Sequence, residues 1–326
     1  MLVVRQNQIV PFDRNSVVTV GSFDGVHLAH QALIVEIVNR ARGRGGRSVV
    51  LTFDPHPKQV LGGREHTIQL LTTLEERQAL CEELGVDVFY VVPFTYEFSR
   101  QTSKQFYETY VLSKVGVSEV VEGYDHHFGR DREGSVEELV RLGKEFGFTV
   151  TAMKPVSVGS EVVSSTAIRK HLLRGDVERA YALLGRPYAF RGTVQRGDGR
   201  GKNLGFPTAN LRPSVPLKIL PGDGIYFVQV NLENDSRYGL ASMGVRPTFQ
   251  SGGVRTLEVY LFNFDGDLYG KALDLRFLRR LRDEKQFATV EDLVRQMNED
   301  REEGLKLIQE YETTLRVSAA RLTRKS

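Results

Sequence analysis

Thr19-Val-Gly-Ser-Phe-Asp-Gly-Val-His-Leu-Ala-His-Gln31 is the stretch from which the rest of the chain can be read in both directions. A short apolar run, Ser16-Val-Val-Thr-Val20, leads into it. Ala32-Leu-Ile-Val-Glu-Ile-Val-Asn-Arg-Ala41 follows, with apolar residues at helical spacing. The order is strand, glycine-bounded loop, helix. Gly21 and Gly25 let backbone approach a ligand closely, and the N–H groups of a helix start favour an anion. His27 and His30 share a face in a first helical turn. Two imidazole donors at such a place suit the charge that builds up during attack at phosphorus. The same His-x-x-His spacing also fits a packed pair or half of a zinc site.

Strand-like and helix-like stretches keep alternating downstream. Ser48–Phe53 reads as a doubly buried strand that ends in Asp54-Pro-His-Pro57. Two prolines oppose helix and sheet, so a rigid loop is expected at a strand's carboxyl end, where open α/β sheets bind ligands; a stiff surface loop has the same sequence. A helix is predicted over Leu74–Leu84, a strand over Val86–Val92 and a loop over Phe94–Ser99. A helix with a Ser103 cap then runs to Leu112, and a strand covers Val117–Val121. Glu122-Gly-Tyr-Asp-His-His-Phe-Gly-Arg-Asp-Arg-Glu-Gly134 is a long glycine-containing loop at that strand's end. Its His126-His127 pair invites a metal reading, but adjacent histidines in a loop do not easily ligate one ion and no further spaced ligands follow. A helix over Ser135–Phe146 and a strand over Thr149–Met153 come next. In Val163-Ser-Ser-Thr-Ala-Ile-Arg169 the hydroxyls are either a helix N-cap or, with Arg169 one turn on, a second clamp for a triphosphate. The first half is therefore expected to be a Rossmann-like α/β domain with a parallel sheet, every polar motif lying at a carboxyl end.

The texture changes after Gly185, which places a boundary near residue 185 between domains 1–185 and 186–320. Gln195-Arg-Gly-Asp-Gly-Arg-Gly-Lys202 is basic and glycine-rich: a solvated loop, a phosphate cradle, or an RNA-tracking segment. In Leu204-Gly-Phe-Pro-Thr-Ala-Asn-Leu211, Thr208 and Asn210 point to one side of an extended chain and offer neutral oxygens of the kind Mg²⁺ prefers beside phosphates. Alternation in Thr256-Leu-Glu-Val-Tyr-Leu261 puts Glu258 opposite Leu257, Val259 and Leu261. It is either a solvated strand glutamate or a base for an attacking hydroxyl. Phe264–Gly270 reads as a hairpin-like turn, Val290–Leu315 as a long amphipathic helix, and Arg321–Ser326 as a disordered basic tail. Many short strands suggest a small β-barrel with that C-terminal helix appended.

The composition, 40% hydrophobic and 26% charged over 326 residues, is ordinary for a globular protein of two domains. A net charge of +3 with Lys and Arg spread along the chain does not argue for nucleic acid and suits anionic small molecules. A single cysteine, Cys81, excludes an internal disulfide and fits a reducing compartment. No apolar run approaches the roughly 20 residues of a membrane span and no signal peptide is evident, so a cytoplasmic protein is expected.

Taken together the motifs resemble the prokaryotic bifunctional riboflavin kinase/FAD synthetases. The carriers are Gly21-x-Phe23-Asp24-Gly25-x-His27-x-x-His30, Pro55-His56-Pro57, Gly123-x-Asp125-x-x-Phe128-Gly129 and Ser164-Ser-Thr-x-Ile-Arg169. In the second half they are Pro207-Thr-Ala-Asn210 and Gly244-x-Arg-Pro-Thr-Phe249. Ala29 stands where the family usually has Gly, and His126 where it usually has Phe. The resemblance implies phosphorylation of riboflavin to FMN in the second half and adenylylation of FMN to FAD, with release of pyrophosphate, in the first. It implies His27 and His30 on the α-phosphate of ATP, with Gly21, Phe23, Asp24, Gly25, Ser164, Ser165, Thr166 and Arg169 around the nucleotide. Asp54, Pro55, His56, Pro57, Gly123, Asp125 and Phe128 would hold flavin. Gly197, Gly199, Gly201 and Lys202 would form the phosphate loop of the kinase. Thr208 and Asn210 would hold Mg²⁺ with ATP, and Glu258 would be the base. The expected partners are riboflavin, FMN and ATP, with neither nucleic acid nor membrane. A kinase lacking the second activity and an RNA-binding protein using the Arg/Gly loop are the rival readings.

Overall fold

The computed structural model describes residues 1–5, 8–62, 68–123, 134–197, 201, 204–232, 235–246 and 254–323. The strand that heads the quoted stretch, β2 (Ser16–Val20), is buried at every residue. β3 (Arg47–Asp54) and β5 (Glu119–Gly123) flank it, both parallel. With β1 (Leu2–Val4), β4 (Val88–Pro93) and β6 (Thr149–Met153) the order is β1-β4-β3-β2-β5-β6, and every pairing is parallel. From β2 the chain goes first to one side and later to the other. The carboxyl end of β2 is therefore the switch point where such sheets leave a crevice. The expected Rossmann-like sheet is present. Edge strand β1 was not anticipated, because three residues are too few to show a period.

Alternate residues of these strands feed two cores. Val17, Val50, Phe89 and Val91 pack with Leu33, Ile34, Ile37 and Val38 of α1 (Leu28–Gly43) and with Cys81. Val18, Val20, Val49, Leu51 and Val92 pack on the opposite face with Tyr107, Val111, Leu139 and Leu142. Burial of each such side chain contributes about 1.5–3 kcal/mol. Cys81 is a packed thiol, its pKa pushed up to about 12 by burial.

Local differences from the sequence expectation have local causes. The second proline of the Pro-His-Pro stretch starts a short helix, α2 (Pro57–Leu61), because a first-turn residue needs no N–H partner, and His56 caps it. After α3 (Leu74–Glu83) and β4, the stretch expected as loop holds a single turn, α4 (Tyr96–Ser99). Helix α5 (Ser103–Phe106) is capped by Thr102, one residue before the predicted cap, and its continuation Tyr107–Val115 is π-helical. The wider turn brings Tyr107, Val111 and Val115, each four residues on, into one buried stripe. Then follow α6 (Val136–Phe146), β6, a small hairpin of β7 (Ser157–Val158) and β8 (Glu161–Val162), α7 (Ser165–Leu173) and α8 (Val177–Leu184).

The chain forms two compact units, Met1–Ala167 and Ile168–Ser326. In the second, β9 (Tyr188–Gln195), β10 (Thr208–Pro213), β11 (Gly224–Asn231), β12 (Ser236–Arg246), β13 (Val254–Leu261) and β14 (Ala272–Arg282) form a closed barrel in the order β10-β13-β12-β11-β14-β9. The predicted small barrel is present. Residues 168–185, read from sequence with the first half, make contacts here: Leu172 O accepts from Gly222 N at 2.7 Å, and α8 packs on β9 and β14. Because β13 and β14 are not neighbours, the 262–271 segment crosses between separated strands and is not the expected hairpin. One outer face of the barrel is covered by α9 (Val290–Thr323), whose Leu307 is buried among Phe227, Leu240, Phe262 and Leu278. A two-pronged Arg282–Asp300 pair at 2.8 and 2.7 Å fixes that helix. Arg321–Thr323, expected to be disordered, are its last residues, and 324–326 lie outside the described residues.

Candidate active sites

The loop from Gly21 to His27 leaves β2 at the switch point in a conformation that side chains rarely adopt. Phe23 has φ 48° and Val26 φ 38°, beside Gly25 at φ 92°. For a β-branched residue such as Val26 this is strained, and it persists only where the surroundings impose it. The surroundings do so. Phe23 and Val26 are buried, Gly25 N donates to Thr72 Oγ1 at 2.8 Å, and Gln31 Nε2 donates to Val26 O at 2.8 Å. Asp24, 1% exposed, accepts from Leu71 N at 3.0 Å, Thr72 N at 2.9 Å and Thr72 Oγ1 at 3.2 Å. Its carboxylate therefore braces the loop from beneath.

The loop delivers His27 to the N-cap of α1. There its Nδ1 accepts from His30 N over a long 3.4 Å, a role that puts the proton of a neutral ring on Nε2. The two imidazoles stack with centroids 3.6 Å apart and planes 15° from parallel, and Phe23 meets His30 edge-on at 5.2 Å. No acidic residue lies in the first turn of α1, so the dipole and both rings favour an anion. The second motif joins the first directly: Ser165 Oγ donates to Asp24 O at 2.7 Å, although the two are 141 residues apart. Ser164 Oγ caps α7 by accepting from Ala167 N at 3.2 Å, Thr166 is exposed, and Arg169 is half-buried one turn on.

Beside this loop, Asp54 is exposed and His56 is buried. The His56 Nδ1 accepts from Lys58 N at 3.1 Å, so the ring serves the cap of α2. Phe53, Phe94, Phe98, Phe106 and Tyr110 form a run of ring contacts at 5.2 to 6.1 Å, from the end of β3 to the segments after β4. Sequence reading missed this cluster because its members come from separate elements. Gly123 closes β5. Its neighbour Glu122 is buried where the β2–β5 ladder has ended, and its carboxylate accepts from Val20 N at 2.8 Å. Burial pushes the Glu122 pKa well above the usual carboxylate range. Asp125 and Phe128, with His126 and His127, lie outside the described residues, as do Gly199 and Lys202.

In the barrel, β10 lies against β13 with Asn210 directly opposite Glu258, and β12 places Ser242 opposite the same glutamate. Leu211, Leu257, Val259 and Leu261 are buried in the interior, so Thr208, Asn210 and Glu258 stand on the outer face. Thr208 Oγ1 donates to Glu258 Oε2 at 2.9 Å. Both described glycines of the Arg/Gly segment rest on this group. A Cβ on Gly197 would lie 2.2 Å from Asn210 Nδ2. One on Gly201 would lie 2.4 Å from Phe206 O and 3.1 Å from Thr208 Oγ1. Only glycine permits that approach. Of the predicted kinase residues, Gly197, Gly201, Thr208, Asn210 and Glu258 are thus brought together. Ser242 was missed, since nothing in the sequence gives the strand register.

A cation would find two neutral oxygens and one carboxylate here. No group of three or more His, Cys, Asp or Glu that could hold a metal occurs among the described residues. This donor set fits a hard ion that arrives with phosphate oxygens to complete its shell.

A family model described as FAD synthetase matches residues 9–167, and one described as riboflavin kinase matches residues 184–308. Curated relatives named bifunctional riboflavin kinase/FMN adenylyltransferase match over nearly the whole length. That of Listeria monocytogenes is 37% identical over 89% of this chain and 92% of its own. The Bacillus subtilis relative is 35% identical over 89% and 92%, and the Escherichia coli relative 35% over 87% and 90%. A solved structure described as a macrolide-efflux protein from Streptococcus pneumoniae superposes with a TM-score of 0.84 at 32% identity, over 93% of this chain and 98% of that one. Among the described residues no helix is long and apolar enough to cross a membrane. With both family models in order and relatives above 30% identity across both halves, the chain belongs to the bifunctional riboflavin kinase/FMN adenylyltransferase family.

Proposed function

We propose that the chain phosphorylates riboflavin to FMN in its barrel and adenylylates FMN to FAD in its parallel-sheet unit, with ATP as substrate of both steps, in the cytoplasm. The observation that carries this is the presence in one chain of two separately built polar sites, each inside a stretch matched by the corresponding family model.

In the kinase step Glu258 accepts the proton of the terminal ribityl hydroxyl as its oxygen attacks the γ-phosphorus of ATP, with ADP leaving. Thr208 and Asn210 would hold Mg²⁺, which supplies charge neutralisation at the phosphates when bound. The Gly197 and Gly201 backbone closes over them. In the second step an FMN phosphate oxygen attacks the α-phosphorus of ATP and pyrophosphate leaves. His27 and His30 donate hydrogen bonds to the charge that accumulates there. Ser164, Thr166 and Arg169 face the remaining phosphates, while Asp24 and Ser165 hold the loop in place. The stretch Asp54–Pro57 and Gly123 border the flavin. We place the boundary between the two activities near residue 185, close to where the riboflavin kinase match begins at 184; residues 168–183 lie between the two matched stretches.

Incubating the protein with riboflavin, ATP and Mg²⁺ and resolving the products tests the proposal. FMN appearing first and FAD following is the expected course. FMN alone would remove the second activity, and neither product would remove both.

A further inference from the structure

Among the described residues Arg77 is the largest buried charged side chain, 2% exposed on α3, and nothing in the two reactions as written uses it. Its Nη1 donates to Ser22 O at 2.7 Å, to Thr52 Oγ1 at 3.1 Å and to Phe53 O at 3.3 Å. Its Nη2 lies 3.7 Å from Asp54 Oδ1. One guanidinium thus ties the first residue after Gly21 to the last residues of β3. It joins the loop that presents His27 and His30 to the loop that begins at Asp54. Burial pulls its pKa down, and the charges of Asp24 and Asp54 oppose that pull. The three acceptors, one on the loop after β2 and two on β3, share Nη1, while Nη2 of the same rigid plane faces Asp54; a lysine ammonium has no second nitrogen fixed in that plane.

We propose that Arg77 is a positioning residue for adenylyl transfer. It sets the spacing between the histidine-bearing loop, where the nucleotide α-phosphate binds, and the Asp54–Pro57 loop, where the flavin phosphate enters. This rests on the adenylyl-transfer reading above. The residue touches neither substrate. It acts by keeping nucleophile and phosphorus in line, and a displacement of about 1 Å in such a pair costs roughly a hundredfold in rate.

The full chain carries its own control, because riboflavin phosphorylation reports on the barrel. In Arg77→Lys and Arg77→Gln, kcat for FAD formation from supplied FMN and ATP should fall by about ten- to a hundredfold. The KM values for ATP and FMN should move little, and riboflavin phosphorylation should keep its rate. The lysine variant should lose less than the glutamine variant. If Arg77→Gln does not fold, Arg77→Lys alone decides. Unchanged kcat in Arg77→Lys overturns the proposal. So does a loss that only tracks the fraction of folded protein, or a parallel loss of both activities. Wild-type protein that makes FMN but never FAD would instead overturn the reading on which the proposal stands.

Discussion

In the parallel-sheet unit the groups proposed to meet the ligand are aimed by main chain. A loop with three positive φ values is pinned from below by Asp24, Thr72 and Ser165, and the imidazoles ride on it. In the barrel the corresponding groups are aimed by strand pairing. Asn210, Glu258 and Ser242 are rungs of one ladder, and Thr208 reaches the same carboxylate from two residues along β10. The first site stores strain that buried polar contacts must hold. The second needs no strained residue, only correct register and two glycines without side chains above it. The loop site therefore depends on buried polar contacts beneath it, and the barrel site on strand register and on the glycines that rest against it.

Four variants can break or sharpen that contrast. Glu258→Gln should lower riboflavin phosphorylation by about 10²- to 10⁴-fold, the usual worth of a general base. Adenylylation of supplied FMN should continue; equal loss of both would erase the separation of the sites. His30→Ala should slow FAD formation by about 10²- to 10³-fold, so that FMN accumulates in a coupled assay. Unaltered FAD production would take the phosphate role away from that ring. Gly197→Ala forces a methyl group onto the Asn210 amide, an overpacking of about 1–3 kcal/mol. The kinase KM for ATP should rise about tenfold without change in adenylylation, and a normal KM would mean the glycine floor is not needed.

The smallest effect is expected from Glu122→Gln. A carboxyl whose folded-state pKa is raised is protonated in the folded protein while the unfolded chain ionises. Wild-type stability is therefore eroded as pH rises from the ordinary carboxylate range toward the raised value. An amide keeps an acceptor for Val20 N and does not titrate. Hydrogen exchange of the β2 amides should be slower in the variant at pH 7 and the same in both proteins near pH 4. A difference that persists undiminished at pH 4 would place the effect in packing.

Much of this was legible in the chain before any coordinate. β2 and β6 fall on the predicted residues, and the alternation around Glu258 told its face correctly because burial follows a period of two. Pairings between distant segments were not legible. Arg77 sits in a helix between Glu76 and Gln78, where nothing in the sequence marks it as buried, yet tertiary packing turns it inward. The resemblance puts Asp24 around the nucleotide, and the sequence does not show that its carboxylate also accepts from Leu71 N, Thr72 N and Thr72 Oγ1. The segment after β13 carries hairpin chemistry, but barrel closure pairs β14 with β9 and β11 instead.

The pairing of β10 with β13 carries one further consequence. Slipping one strand by a single residue would turn Asn210 inward and an interior side chain outward, so an inactive barrel could be nearly as compact as an active one. What forbids the slip is the apolar side of the same strands: Leu211, Leu257, Val259 and Leu261 fit the interior in one alignment. These leucines and this valine act as the vernier of the instrument. Their shapes, remote from any phosphate, decide whether the chemical groups on the far side of the sheet are ever read out together.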